Sequence, residues 1–152
     1  ISAGQHFTHT GGISNTLCLH PNPEYASYSD SIDTSQWIYN IEYKVSAFSP
    51  FEQPLHHHDA PCAVCLLETR GTKVMIPGRN ICPSGWTMEY KGYLLSESYA
   101  SKGRTAAVCV DEKAEPLPET SADSGGSLWY LVQGTKNPYI SGQELTCVVC
   151  TR

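Results

Sequence analysis

The chain has 152 residues, a net charge of −5 and only 16% charged residues. That length suits one compact domain with a real core, and the lack of any Lys/Arg cluster excludes the phosphate-neutralising surface that nucleic acid requires. No apolar run approaches a membrane span, and seven cysteines in so short a chain point to structural disulfides made in an oxidising, extracellular compartment. An odd count leaves at least one cysteine free or bonded to another chain. The chain opens on Ile1 with no charged-then-apolar leader, so a removed targeting segment is expected.

Helical periodicity is nearly absent, and short apolar runs take its place. Thr16–Leu19 follows the turn Thr10-Gly11-Gly12 and precedes Pro21-Asn22-Pro23. From Trp37 to Val45 the pattern alternates: Trp37, Tyr39, Ile41, Tyr43 and Val45 take one face, Asn40, Glu42 and Lys44 the other, as in a half-buried strand. Ala63–Leu67 and Lys73–Ile76 read as further strands. After Pro77-Gly78 and Pro83-Ser84-Gly85, Trp86, Met88 and Tyr90 alternate with Thr87, Glu89 and Lys91. Thr105–Val110, Leu128–Val132 and Leu145–Val149 complete the series, while Asp111–Ser127, rich in Glu, Pro, Ser and Gly, reads as the longest and most mobile loop. About eight strands without crossover helices predict an all-β, antiparallel sandwich or barrel.

The chain also repeats itself. Cys18 recurs as Cys109, Trp37 as Trp129, and the motif Cys62-Ala63-Val64-Cys65 as Cys147-Val148-Val149-Cys150. The expected architecture is therefore a single domain over 1–152, disulfide-stapled and built from two pseudo-symmetric repeats at approximately 1–70 and 71–152. All seven cysteines, Cys18, Cys62, Cys65, Cys82, Cys109, Cys147 and Cys150, are candidates for about three intrachain bonds. Cys82 has no repeat partner, since its counterpart falls before Ile1. On a strand, positions i and i+3 face opposite ways, so each C-x-x-C suits bonds to two different neighbours better than one zinc ion.

Three motifs suggest catalysis and fail on inspection. Asp123-Ser124-Gly125-Gly126 and Thr105-Ala106-Ala107-Val108-Cys109 resemble the nucleophile and base segments of trypsin-like proteases, but Val108 occupies the base position and accepts no proton. A redox C-x-x-C lacks the helix that would lower a thiol pKa. No enzyme activity and no cofactor are expected. His56-His57-His58-Asp59 offers a metal alternative through His56, His58 and Asp59, with His6 or His9 completing the shell; the preferred reading is a solvated loop, because the second repeat holds Ser141, Gly142 and Gln143 there.

Carbohydrate recognition needs paired hydrogen-bonding groups beside an aromatic face. Tyr99, Lys102 and Arg104 cluster around a glycine turn, and Gln143 and Glu144 join them if that loop lies at the same end. The matching first-repeat set is His6, His9, His57, His58 and Asp59. Surface charge and core packing are the ordinary alternatives for these residues, and their grouping carries the functional reading.

Val74-Met75-Ile76-Pro77-Gly78-Arg79-Asn80-Ile81-Cys82-Pro83-Ser84-Gly85-Trp86 resembles the non-collagenous globular domain of invertebrate short-chain, sponge-type collagens. So do Ser101-Lys102-Gly103-Arg104-Thr105, Pro61-Cys62-Ala63-Val64-Cys65 and Glu144-Leu145-Thr146-Cys147-Val148-Val149-Cys150-Thr151. The chain is likewise similar to secreted galactose-binding lectins of sea anemones built on that domain. The resemblance covers most of the chain and implies a β-rich extracellular domain that binds terminal galactosides without catalysis. Two departures stand: there is no Gly-X-Y tract, and the first repeat lacks its own C-P-x-G strand. The expectation is a secreted lectin, a homodimer whose odd cysteine is available to link the copies, with a structural or adhesive matrix module as the alternative.

Overall fold

Runs rich in β-branched and aromatic residues, cut by Gly and Pro turns, favour strands. The computed structural model describes every residue except Tyr28, Asp30, Ile32, Asp33 and Thr34, and among the described residues there is no helix. The strands are β1 (Ser2–Gly4), β2 (Leu17–Cys18), β3 (Tyr39–Tyr43), β4 (Lys73–Pro77), β5 (Thr87–Ser96), β6 (Val108–Asp111), β7 (Ser127–Leu131) and β8 (Thr146–Thr151). They form one curled, half-barrel sheet in the order β2-β1-β3-β7-β5-β8-β4, with β6 on β5. β3 and β7 run parallel at its centre; the other pairings are antiparallel. The protein is all-β and disulfide-stapled.

Pairings in one half have counterparts in the other. Ala3 faces Asn40 and Leu17 on its two sides; Leu95 faces Leu131 and Val108. The isolated bridge Glu42–Asp59 corresponds to Gln133–Glu144. Next to each bridge the chain enters the left-handed region, at His57 (φ 67°) and at Gly142 (φ 81°). Glycine tolerates that conformation at no steric cost; at His57 it is held by the amide, which donates to Tyr43 O at 2.9 Å, together with the contacts of the ring to Lys44 and Glu42.

Several expectations require correction. Ala63–Leu67 forms no strand, because a lone apolar run has no ladder to complete its backbone hydrogen bonds. Its counterpart β8 is flanked by β4 and β5, which bury Val149 to 6% exposure while Val64 is left 86% exposed. The stretch between β3 and β4 is therefore the longest connection, not Asp111–Ser127. β1, three small residues without an apolar run, gives no sequence signal. A bulge between Met88 and Tyr90 breaks the predicted alternation in β5.

Three disulfides staple the sheet: Cys18–Cys62, Cys109–Cys147 and Cys82–Cys150. Cys147 and Cys150 bond different neighbours, as opposite-facing strand positions require. Cys65, grouped with the others as a disulfide cysteine, instead carries a free, exposed thiol. These bonds fit an extracellular protein. Among the described residues no helix is long and apolar enough to cross a membrane.

The core lies between the β3–β7–β5 surface and the 44–60 connection. Ile41, Tyr43, Leu55, Leu95 and Trp129 are buried in it, with the Tyr43 and Trp129 rings 6.0 Å apart. Trp37, assigned by alternation to the inner face, is 47% exposed, since β3 begins only at Tyr39. Glu42, assigned to the outer face, is fully buried because the 55–59 turn covers that side of β3.

Candidate functional site

The turn after β5 is pinned from below by Glu97. Its carboxylate accepts the Leu128 amide at 3.1 Å and the Ser101 hydroxyl at 3.1 Å, with Ser127 Oγ at 3.5 Å. Burial raises the Glu97 pKa, and those donors only partly offset it. From the far side, the Lys102 amide donates to Phe7 O at 3.1 Å and the Ala106 amide to Ser14 O at 2.8 Å. Gly103 sits close under this clamp: a Cβ there would lie 3.1 Å from His9 O, so a side chain would require the neighbouring chain to give by a few tenths of an ångström. The loop so fixed surrounds an open hollow of about 480 Å³ lined by Tyr99, Lys102 and Arg104. Tyr99 is fully exposed, and no ion pair among the described residues engages Lys102 or Arg104. Directional donors, point charge and aromatic face thus share one rigid rim.

Gln143 and Glu144 do not line this hollow. Glu144 accepts from Gln133 Nε2 at 2.9 Å across the bridge at the β7–β8 junction. The first-repeat set is split as well. His6 and His9 pack edge-on against Tyr39, with centroids 4.7 and 5.6 Å away, beside an open hollow of about 710 Å³ that reaches Trp37. Burial, then His9, lowers the His6 pKa. Sequence reasoning overlooked Trp37 as a surface group; the polar Ser35 and Gln36 before it were the available signal that the strand had not yet begun.

His57 belongs to a different cluster. Lys44 Nζ lies 2.6 Å from Glu42 Oε1, 2.5 Å from Asp123 Oδ1 and 2.9 Å from His57 Nδ1. Glu42, His57 and Asp123 present ligand atoms within 4.8 Å of one another, the spacing a metal ion would use. The Lys44 ammonium already occupies the middle, so the arrangement is a salt-bridged latch holding the 55–59 turn and the β6–β7 loop on β3. Its neighbours point elsewhere: His58 Nδ1 meets His56 O at 3.2 Å, and Asp59 accepts from Asn40 Nδ2 at 2.8 Å. His56, His58 and Asp59 therefore do not converge on one point.

Burial alone would lower the Lys44 pKa, but its hydrogen bonds to Asp123 and Glu42 outweigh it and the net shift is upward. The Lys44 hydrogen bond holds Asp123 below the usual carboxylate range. Asp123 thus adds stability that is present above about pH 3.9 and is lost as pH falls through its lowered folded value. In Asp123→Asn the difference in urea midpoint between neutral pH and about pH 2 should shrink relative to the parent, and less so in high salt. An unchanged difference would mean that this contact is fully solvent-screened.

No known family model matches the chain, and no solved structure matches it. The fold and site define the class directly: a disulfide-stapled, all-β protein presenting polar and aromatic side chains on clamped loops.

Proposed function

We propose that this chain is a secreted, non-catalytic carbohydrate-binding protein that recognises terminal galactosides, related to the globular domain of sponge-type collagens and to sea anemone lectins. One observation carries the reading: two cations without ion partners among the described residues and a fully exposed tyrosine stand together on a loop held by Glu97 and Phe7. A guanidinium grips two neighbouring hydroxyls directionally, and an aromatic face covers the apolar side of a sugar ring. Little entropy is then lost on binding, because the loop is already ordered. Support for galactose in particular comes from the motif resemblance of residues 74–86 and 144–151.

Passage over lactose–agarose, with and without chelator, tests this. Retention released by lactose is expected, and retention lost with chelator would assign the role to a metal ion instead. Arg104→Ala should abolish retention while leaving the melting temperature within about 2 °C, since an exposed side chain contributes little to stability. Retention that survives this substitution would displace the site.

The rival is a structural or adhesive matrix module, favoured by the free Cys65 thiol on an unpaired apolar segment, which suits a link between chains. Passage straight through the column, with a reducible dimer on a gel, would support it.

A further inference from the structure

The hollow around Lys102 is one part of a longer feature. A second hollow, of about 260 Å³, shares Lys102, Gly103 and Arg104 with it and is closed on the other side by Thr10, Gly11 and Gly12. Those same three residues form a wall of the hollow of about 710 Å³, which ends at Trp37 and Tyr39. Shared lining residues set the three hollows in series, and we read the series as one trough, with an exposed aromatic at each end and two cations toward the Tyr99 end. The trough is preformed: backbone hydrogen bonds from Lys102 to Phe7 and from Ala106 to Ser14 tie its sides together.

Its charge runs against that of the chain. The protein carries −5 overall, yet among the described residues the charged side chains lining the trough are Lys102 and Arg104 and a single acid, Glu97. Glu97 turns its oxygens inward to Ser101, Ser127 and Leu128. Lys44 and Arg70, by contrast, are neutralised by acids within 3 Å. A neutral sugar uses such cations only as hydrogen-bond donors, whereas an anionic group also pairs with their charge, as a planar fork plus a point charge.

We propose that the trough takes an acidic oligosaccharide, its sulfate or carboxylate held by Arg104 and Lys102, with one ring on Tyr99 and another toward Trp37. This rests on the carbohydrate-binding reading and adds the charge class and the reach of the ligand. Isothermal titration of the full chain with lactose, sulfated lactose and sialylated lactose tests it. At about 0.05 M salt the acidic sugars should bind about tenfold tighter than lactose, and the preference should fall to about twofold at about 0.5 M, where screening is strong. Preference for the sulfated or for the sialylated arm alone names the anion, and either result supports the proposal. Lys102→Gln should erase the preference for the acidic sugars, because an amide keeps a donor and drops the charge. Trp37→Ala should weaken an acidic tetrasaccharide and spare the disaccharides. Equal affinity for all three sugars, or a preference indifferent to salt, would overturn the inference and leave the lectin reading intact. Absence of binding to any of them would sink both.

Discussion

Lys44→Met is expected to lower the free energy of unfolding by about 3 kcal/mol at neutral pH, the low end of what stranding one partner of a buried ion pair costs. Glu42 is fully buried, and its Oε2 has no hydrogen-bond partner among the described residues, so the ammonium 2.6 Å from Oε1 is what makes a carboxylate tolerable there. Methionine keeps the apolar stem and removes the charge. The double variant Lys44→Met with Glu42→Gln removes the stranded charge and should recover more than half of the loss, giving a coupling above about 1.5 kcal/mol by urea titration. A single-variant cost below about 1 kcal/mol would mean that water reaches Glu42, and the latch would then be a surface contact of ordinary weakness.

This latch marks the limit of what could be read beforehand. Alternation correctly placed Ile41, Tyr43 and Val45 inside, because a side-chain period of two is a property of the strand itself. It misplaced Glu42, because burial of the second face depends on the 55–59 turn folding back, a long-range event with no local pattern. The cysteine spacing was legible for the same reason as the strands: i and i+3 positions must seek different neighbours. Of the proposed site, the cluster Tyr99–Lys102–Arg104 was legible because its members are close in sequence. The link to Thr10–Gly12 and Trp37 was not, since it depends on hydrogen bonds from the 102–106 segment to Phe7 and Ser14. Gln143 and Glu144 were drawn in by repeat correspondence alone, and such correspondence maps position within a repeat, not proximity between repeats.

The two related staples should be worth nearly the same. Cys18–Cys62 closes 44 residues and Cys109–Cys147 closes 38, so loop-closure entropy assigns about 4 kcal/mol to each. Replacing either pair with alanine, and measuring unfolding in urea without reductant, should show losses of that size within about 1 kcal/mol of each other. A much smaller loss for Cys18–Cys62 would locate the contribution in native packing instead: Cys147 sits in a fully paired strand, whereas Cys62 lies in a segment with no ladder. The third staple explains the remaining thiol. Cys150 is bonded to Cys82, which stands on the connection between β4 and β5, and no described cysteine bonds the equivalent Cys65. One thiol per chain should therefore react with a maleimide before reduction, and it should map to Cys65. Cys65→Ser should leave stability within about 0.5 kcal/mol, as expected of an exposed side chain in no bonded pair. Labelling at Cys82 or Cys150 instead would break the correspondence between the halves, and with it the reason that residues 63–67 lie outside the sheet.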